Sequence, residues 1–562
     1  MPASFLLRLR VIGAAWVALW LIPLGLLALC MPSLVCADEA DPVFDVPALL
    51  ATPLRPKTLK RHVGEGIITE EVQFHSEQDG DQDVVIFAYF SYPEGQKQLP
   101  AYIWNPGGLG QASPAYTEEG ARRGYATLCI DFPQPGYRST GGYPINSGLI
   151  LEGDPRQAPI YHGAVALLKA VSYLESREEV DRDRIGMAGS SWGGFFTTLM
   201  VGIDSRLKVG SCLYGTGSLE LGNAWWDGNS RNGRTSPTPA DRERWRVTLD
   251  PAARLAQRRT PIAWFTGTND QFYFLSGVMR TYELSGGPKL LTLVPNWDHA
   301  LPQRLHDESI FAWLDEHLKG IKTLPTVSAL SVQNEENHLI ARWRVADDVE
   351  SADLIASFGE SGNWRGRYWH TFPATIEKGE CRAELPAATL SCFVSGSVVS
   401  KTGLRSSTPL LRVEAKELGI AGKVAVPPYD GCSLWGGFEE PQIAYLDRHT
   451  KGGQARWKPK LSTDAKEGKQ SAILPAGDTL LPPILSTATV PHRLTSWLKA
   501  ADPVEIALFL GGKEQSFRIG TDWTEVASDH TPATSPLGET SVVVRVPAGA
   551  KVLVDAIRFQ PR

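Results

Sequence analysis

The most restrictive feature of this chain is the run Ile185-Gly186-Met187-Ala188-Gly189-Ser190-Ser191-Trp192-Gly193-Gly194. An apolar strand pattern, Ile185 to Gly189, meets a helical pattern, Phe195 to Val201, with almost no linker between them. A chain can reverse that sharply only where side chains are missing, and Gly189 and Gly193 flank Ser191 to allow it. Such a turn pushes the serine into the open and aims a helix N-terminus at the same spot, with its amide donors and positive potential.

The surroundings fit that turn into a larger pattern. Strands are expected at Asp83 to Tyr92, Ala101 to Trp104, Ala126 to Phe132, Ile185 to Gly189, Val209 to Tyr214, Pro261 to Thr266 and Leu290 to Val294. Helical spacing marks Tyr161 to Leu174 and Ser309 to Leu318. Strands alternating with helices predict an α/β domain at residues 60–322, a mostly parallel sheet covered by helices. After Leu324-Pro325 the period changes to two, as in His338 to Val345. Residues 325–416 are the right length for a β-sandwich of the immunoglobulin or fibronectin kind. Alternation from Val504 to Leu510 and late strands at Val542 to Val546 and Val552 to Phe559 predict a second all-β domain over 425–562.

A serine hydroxyl needs a base, and that base needs an orienting acid. Asp270 follows the strand Pro261 to Thr266, and His299 follows the next strand, Leu290 to Val294, so the order is Ser, Asp, His, each after a strand. Ser191, Asp270 and His299 are the candidate catalytic residues. Asp131, His162 and His306 are weaker candidates, read as loop-ordering or structural, and Asp298 should point away from its neighbour His299. The candidate oxyanion donors are the amide of Trp192 and that of Gly108, with Leu109 next, in the loop Asn105 to Gln111.

The 17 Trp raise the question of flat ligands such as sugars, on which indoles stack. Trp225 and Trp226, near Asp227, Arg231, Arg234 and Trp245, are candidate substrate-binding residues in a segment that borders the expected mouth. Trp497 and Trp523 read as core, Trp435 and Trp457 as better platforms.

A formal net charge of −6 argues against nucleic acid as a partner. With 43% hydrophobic and 21% charged residues, and 53 Gly and 40 Pro, the chain lies far from low-complexity composition. At the N-terminus, Arg8 and Arg10 precede an apolar stretch ending in Val35-Cys36-Ala37, the pattern of an export signal over residues 1–37. An uncleaved membrane anchor is the alternative. The expected location is extracytoplasmic: periplasmic, secreted or cell-surface. Past that segment an odd number of cysteines remains, Cys129, Cys212, Cys381, Cys392 and Cys432, of which Cys381 and Cys392 are near enough in sequence to pair. No Cys-x-x-Cys or His-Glu-x-x-His spacing occurs, so a structural or catalytic zinc has no support in the sequence.

Residues 65–320 resemble an α/β-hydrolase of the acetyl xylan esterase and dienelactone hydrolase kind. The likeness rests on Gly124-Tyr125-Ala126 leading to Asp131, on Val180-Asp181-Arg182-Asp183-Arg184-Ile185-Gly186 leading to the Ser191 turn, and on the Asp270 and His299 turns. Gly267 to Phe272 and Val294 to His299 are also similar to the PhoPQ-activated pathogenicity-related proteins. The last region, from Trp435-Gly436-Gly437-Phe438-Glu439 to Val554-Asp555-Ala556-Ile557, resembles a galactose-binding-like jelly roll. These resemblances imply an acyl-serine intermediate and no cofactor. The chain departs from many members in carrying Asn105-Pro106 where they have His-Gly. The expected activity is that of a serine esterase, deacetylase in type, on acylated carbohydrate or another small ester. Two alternatives stay open: a prolyl oligopeptidase-like serine peptidase, and a non-catalytic surface protein that binds carbohydrate.

Overall fold

The computed structural model describes residues 41, 43–108, 110–145, 153–227, 236–359, 369–387, 391–420, 434–439, 459–481, 484–485, 491–531 and 539–562. The expected export signal or anchor, Leu109, Arg231, Arg234, Cys432, Trp457 and the side chain of Trp435 lie outside them. Among the described residues no helix is long and apolar enough to cross a membrane.

The first sheet has nine strands: β1 (Lys57–Gly64), β2 (Ile67–Asp79), β3 (Gln82–Pro93), β4 (Leu99–Asn105), β5 (Ala126–Ile130), β6 (Val180–Ser190), β7 (Val209–Leu213), β8 (Ile262–Gly267) and β9 (Lys289–Val294). Their order is β1-β2-β3-β5-β4-β6-β7-β8-β9. The first three and the β3/β5 pair are antiparallel, and every pair from β5 to β9 is parallel. The sequence pattern misses β1 and β2. Almost all of β1 is exposed, and β2 shifts register between His75 and Glu77, so neither keeps a clean period.

Among the described residues eight α-helices accompany the sheet: α1 (Val46–Ala51), α2 (Pro114–Arg122), α3 (Pro159–Glu175), α4 (Trp192–Ile203), α5 (Ala224–Asp227), α6 (Pro239–Thr248), α7 (Leu275–Leu284) and α8 (Gln303–Lys319). Every residue of α4 is buried, which suits a helix that is apolar all round. It packs with α3 against one sheet face through Ile103, Leu128, Ile185 and Met187. On the other face Tyr102, Cys129, Val209 and Phe265 meet Phe311 and Leu314 of α8. Gly320, at φ +74°, stops α8 in the left-handed conformation that glycine adopts without strain.

The next strands form two antiparallel sheets. They are β10 (Ser331–Glu335), β11 (His338–Arg344), β12 (Val349–Phe358), β13 (His370–Pro373), β14 (Thr375–Glu377), β15 (Glu380–Leu385), β16 (Cys392–Ser400), β17 (Arg405–Ser407) and β18 (Leu411–Val413). One sheet runs β10-β11-β15-β14; the other runs β13-β12-β16-β17, with β18 on β16. Leu339, Trp343, Leu354 and Val394 fill the space between. Here one expectation fails: Cys381 on β15 and Cys392 on β16 belong to different sheets, and neither is in a disulfide. Both are buried, and burial pushes the Cys381 thiol up to about 11.

A second all-β region follows: β19 (Leu434–Gly436), β20 (Lys460–Ser462), β21 (Ser471–Leu474), β22 (Gly477–Leu480), β23 (Ile484–Leu485), β24 (His492–Ala500), β25 (Val504–Leu510), β26 (Lys513–Ile519), β27 (Thr524–His530), β28 (Glu539–Thr540), β29 (Val542–Val546) and β30 (Val552–Pro561). The sheets β20-β21-β30-β24-β27 and β22-β29-β25-β26 share a core of Leu494, Leu498, Ile506, Leu508 and Val544. Trp497 and Trp523 are corrected here. Along β24 the buried residues are the even-numbered ones, so Trp497 stands on the outer row with the Lys466 ammonium 4.0 Å from its ring. Trp523, just before β27, is half-buried with Lys499 at 6.0 Å. A strand's period assigns two faces but does not say which is inward.

Candidate active site

The strand β6 ends in the predicted turn. Ser191 has φ +56° and ψ −120°, a conformation that a non-glycine residue holds only under constraint. Its amide donates to Leu213 O at 2.9 Å, and its carbonyl receives Phe195 N at 2.9 Å, so both neighbours of the turn are pinned. A side chain at Gly193 would place its Cβ 1.9 Å from Asn105 O, and one at Gly189 would sit 2.5 Å from the Gly193 carbonyl carbon. Those two glycines are required by close backbone approach.

The other two side chains come from the loops after β8 and β9. The ring of His299 lies with Nε2 2.8 Å from Ser191 Oγ and Nδ1 2.8 Å from Asp270 Oδ2. Asp270 is 1% exposed, and its Oδ1 receives Phe272 N at 2.7 Å and Tyr273 N at 2.9 Å. With two backbone donors on Oδ1, the carboxylate is fixed so that its Oδ2 meets Nδ1. With Nδ1–H donating there, Nε2 presents its lone pair to the Ser191 hydroxyl. Aromatic rings box the imidazole: Tyr214 at 4.7 Å, Phe272 at 4.8 Å and Tyr273 at 5.9 Å between centroids. None of the three was singled out from sequence, although each adjoins or lies within a loop after a predicted strand.

The loop after β4 runs beside the serine. A Cβ on Gly107 would be 3.4 Å from Ser191 Cβ, and Gly110 N donates to Gly107 O at 2.8 Å, closing a turn that contains Gly108. Trp192 opens α4, and its amide is among the first N–H groups, which have no acceptor four residues back. Asn105, where the sequence departs from the hydrolases it resembles, is wholly buried and donates its side-chain amide to Thr197 Oγ1 of α4 at 3.3 Å.

The structure separates the two candidate substrate tryptophans. Trp225 is half-buried, with its ring 4.9 Å from Trp192 and 5.2 Å from Tyr273. Trp226 faces the interior at 4% exposure, edge-on to Trp245 at 5.7 Å, with Arg242 over its ring at 5.2 Å. It is a packing residue. A turn of helix points adjacent side chains about 100° apart, so both could not face the mouth.

The weaker candidates lie elsewhere. His162 is buried in α3, bonded to Glu77 at 2.9 Å and stacked on Tyr143. His306 meets the Tyr214 hydroxyl at 3.1 Å. Asp131 accepts Ala112 N at 2.6 Å and pairs with Arg138 at 2.7 Å. Among the described residues no group of His, Cys, Asp and Glu side chains could hold a metal ion.

A largely parallel sheet that delivers a strand–serine turn–helix, then an acid and a histidine at later strand ends, defines the α/β-hydrolase fold. No protein-family profile matches the chain. A curated protein of Bacillus subtilis (strain 168), "Putative hydrolase YtaP", is 31% identical over 98 residues, 17% of this chain and 32% of that protein. The chain thus spans about a third of the length of that relative. Among solved structures, the acetyl xylan esterase from Paenibacillus sp. R4 is similar at a TM-score of 0.41 and 21% identity, over 49% of this chain and 92% of that one. Acetyl xylan esterase 1 from Thermoanaerobacterium sp. JW/SL YS485 has a TM-score of 0.41 and 16% identity, over 48% and 90%.

Proposed function

We propose that this chain is an exported serine hydrolase that cleaves carboxylic esters on acylated carbohydrate through an acyl-serine intermediate. The observation that carries the reading is the unbroken relay from Ser191 Oγ to His299 Nε2 and from His299 Nδ1 to Asp270, each step 2.8 Å. Ser191 Oγ attacks the ester carbonyl while His299 Nε2 takes its proton, and Asp270 orients and stabilises the imidazolium. His299 then passes that proton to the leaving sugar oxygen. Water repeats the sequence on the acyl-enzyme and releases the acid. The amides of Trp192 and Gly108 receive the tetrahedral oxyanion, favoured by the α4 N-terminus. Trp225 forms one wall of the substrate site, and its indole face suits a sugar ring. The name of the Bacillus subtilis relative agrees with hydrolysis.

Wild type and Ser191→Ala are compared on p-nitrophenyl acetate, acetylated xylan and an aminoacyl amide. Loss of about 10⁴-fold or more in ester turnover is expected for the variant. Equal ester rates in the two proteins would sink the assignment, and turnover of the amide alone would favour a peptidase. Export is tested separately by N-terminal analysis of the protein made in a bacterial host, where Asp38 should be the first residue.

A further inference from the structure

The His299 loop is held from two sides, and only one of them belongs to the nine-stranded sheet. On that side the Asp270 loop grips it: Asn296 N donates to Thr268 Oγ1 at 2.9 Å, Asn269 N to Trp297 O at 2.8 Å, and His299 N to Gln271 Oε1 at 3.1 Å. On the other side the contacts come from the β-sandwich. Asn296 Nδ2 donates to Trp369 O at 2.8 Å, and Trp369 N donates to Asn296 Oδ1 at 2.7 Å. One side-chain amide thus satisfies both backbone groups of a residue 73 positions away, as a neighbouring strand would.

This junction is built to resist movement. Asn296 is 3% exposed and Trp369 0%. Asn296 sits at φ +58°, a left-handed conformation that asparagine tolerates better than most residues. Trp369 belongs to a core cluster with Trp264, Leu291 and Leu293 from the sheet and with Ile355 and Phe393 from the sandwich. Beside it, β17 lies along the outer edge of β9, where Thr292 Oγ1 donates to Arg405 O at 2.5 Å and Leu293 N donates to Ser407 Oγ at 3.0 Å. A displacement of the sandwich therefore pulls directly on the loop three residues before the imidazole.

We infer that Asn296 is a positioning residue, and that through it the β-sandwich sets the orientation of His299 between Asp270 and Ser191. The inference rests on the serine-hydrolase reading for its consequence in turnover, and on the hydrogen bonds between Asn296 and Trp369 alone for the clamp. The imidazole must present both nitrogens within hydrogen-bond reach at once, and small misplacements of a reacting group are costly.

Three variants test it. Asn296→Gly keeps the left-handed backbone accessible and removes the amide. Asn296→Asp keeps the acceptor for Trp369 N but sets a carboxylate against Trp369 O. Ser407→Ala removes the bond to Leu293 on the same interface and leaves the loop untouched. For Asn296→Gly, kcat on p-nitrophenyl acetate should fall between about 10-fold and 100-fold, with KM within about twofold of wild type. The acidic limb of its kcat/KM profile should shift, and the low-field proton resonance of His299 Nδ1–H should broaden or vanish. Asn296→Asp should behave likewise, and Ser407→Ala should lose thermal stability while keeping wild-type kcat and the low-field resonance. Wild-type kcat and an unchanged resonance in Asn296→Gly would overturn the clamp, as would an equal kcat loss in Ser407→Ala. An inactive wild type would instead overturn the hydrolase reading, and the resonance would still decide the clamp.

Discussion

Arg138 and Asp131 grip the same backbone residue from both directions. Arg138 donates Nε to Asp131 Oδ2 at 2.7 Å and Nη2 to Oδ1 at 3.1 Å. Asp131 also accepts Ala112 N at 2.6 Å, while Arg138 Nη2 donates to Ala112 O at 2.7 Å. Ala112 ends the loop that carries Gly107 and Gly108 past Ser191, so the pair fixes the far end of the candidate oxyanion loop. Asp131 has no exposed surface. Asp131→Ala is expected to cost about 1 to 3 kcal/mol, chiefly by leaving the Ala112 amide without its acceptor, since water reaches the Arg138 guanidinium. Urea unfolding measures that loss, and ester turnover by the remaining folded protein should also fall.

The turn around Ser191 should reject side chains in a graded way. At Gly193 the added Cβ would lie 1.9 Å from a backbone oxygen, at Gly189 2.5 Å from a backbone carbon, and at Gly194 2.9 Å from Leu213 O. Backbone atoms of central strands and of the buried helix α4 cannot retreat cheaply. Gly193→Ala and Gly189→Ala should yield little soluble protein, and Gly194→Ala a folded protein with lowered Tm. Soluble, fully active Gly193→Ala would contradict the geometry of the turn.

Adjacent tryptophans should respond oppositely. Trp226→Ala removes an interior indole and is expected to cost about 3 to 5 kcal/mol. Trp225→Ala takes away a half-buried ring beside Trp192 and should chiefly raise KM for acetylated xylan, with a smaller loss of Tm. Thermal melts and steady-state kinetics on both proteins separate the two outcomes.

Acid should weaken the sandwich through His370 on β13. Burial pushes its pKa down from 6.5 to about 3. The ring is neutral when folded, whereas the unfolded chain takes up a proton once the pH drops below about 6.5. The unfolded state then binds more protons, so stability is full above pH 6.5 and declines as pH falls from there toward 3. His370→Asn should flatten that slope in Tm measured between pH 7.5 and pH 4.5. Parallel pH curves for the two proteins would show that other groups set the acid response.

The sheet and the sandwich should not part cleanly. A chain ending at residue 322 would strip Trp369, Ile355 and Phe393 from the cluster containing Trp264, Leu291 and Leu293, and would bare the edge of β9. An apolar surface beside an open strand edge invites aggregation. Residues 38–322 should therefore elute as aggregate in size exclusion, while residues 38–420 should elute as a folded species.

What could be read from the sequence was local. Gly189 and Gly193 announce a turn because only missing side chains permit it, and Asp270 and His299 are recognisable as strand-end residues because the strands before them are short, apolar and abruptly ended. The periods of the strands and helices likewise disclosed an α/β region followed by all-β regions. Features that depend on which face turns inward, or on contacts between distant segments, were decided by tertiary packing. Nothing near Trp225 and Trp226 says which indole Trp245 and Arg242 will enclose, and nothing near Trp497 says that its row faces outward. The spacing of Cys381 and Cys392 is short, yet the two β-sheets put them on different layers. The clamp between Asn296 and Trp369 is the clearest case. Its two hydrogen bonds join residues 73 positions apart that the packing of the sandwich on the sheet brings together, and an asparagine in a turn carries no mark of the partner that folding will bring to it.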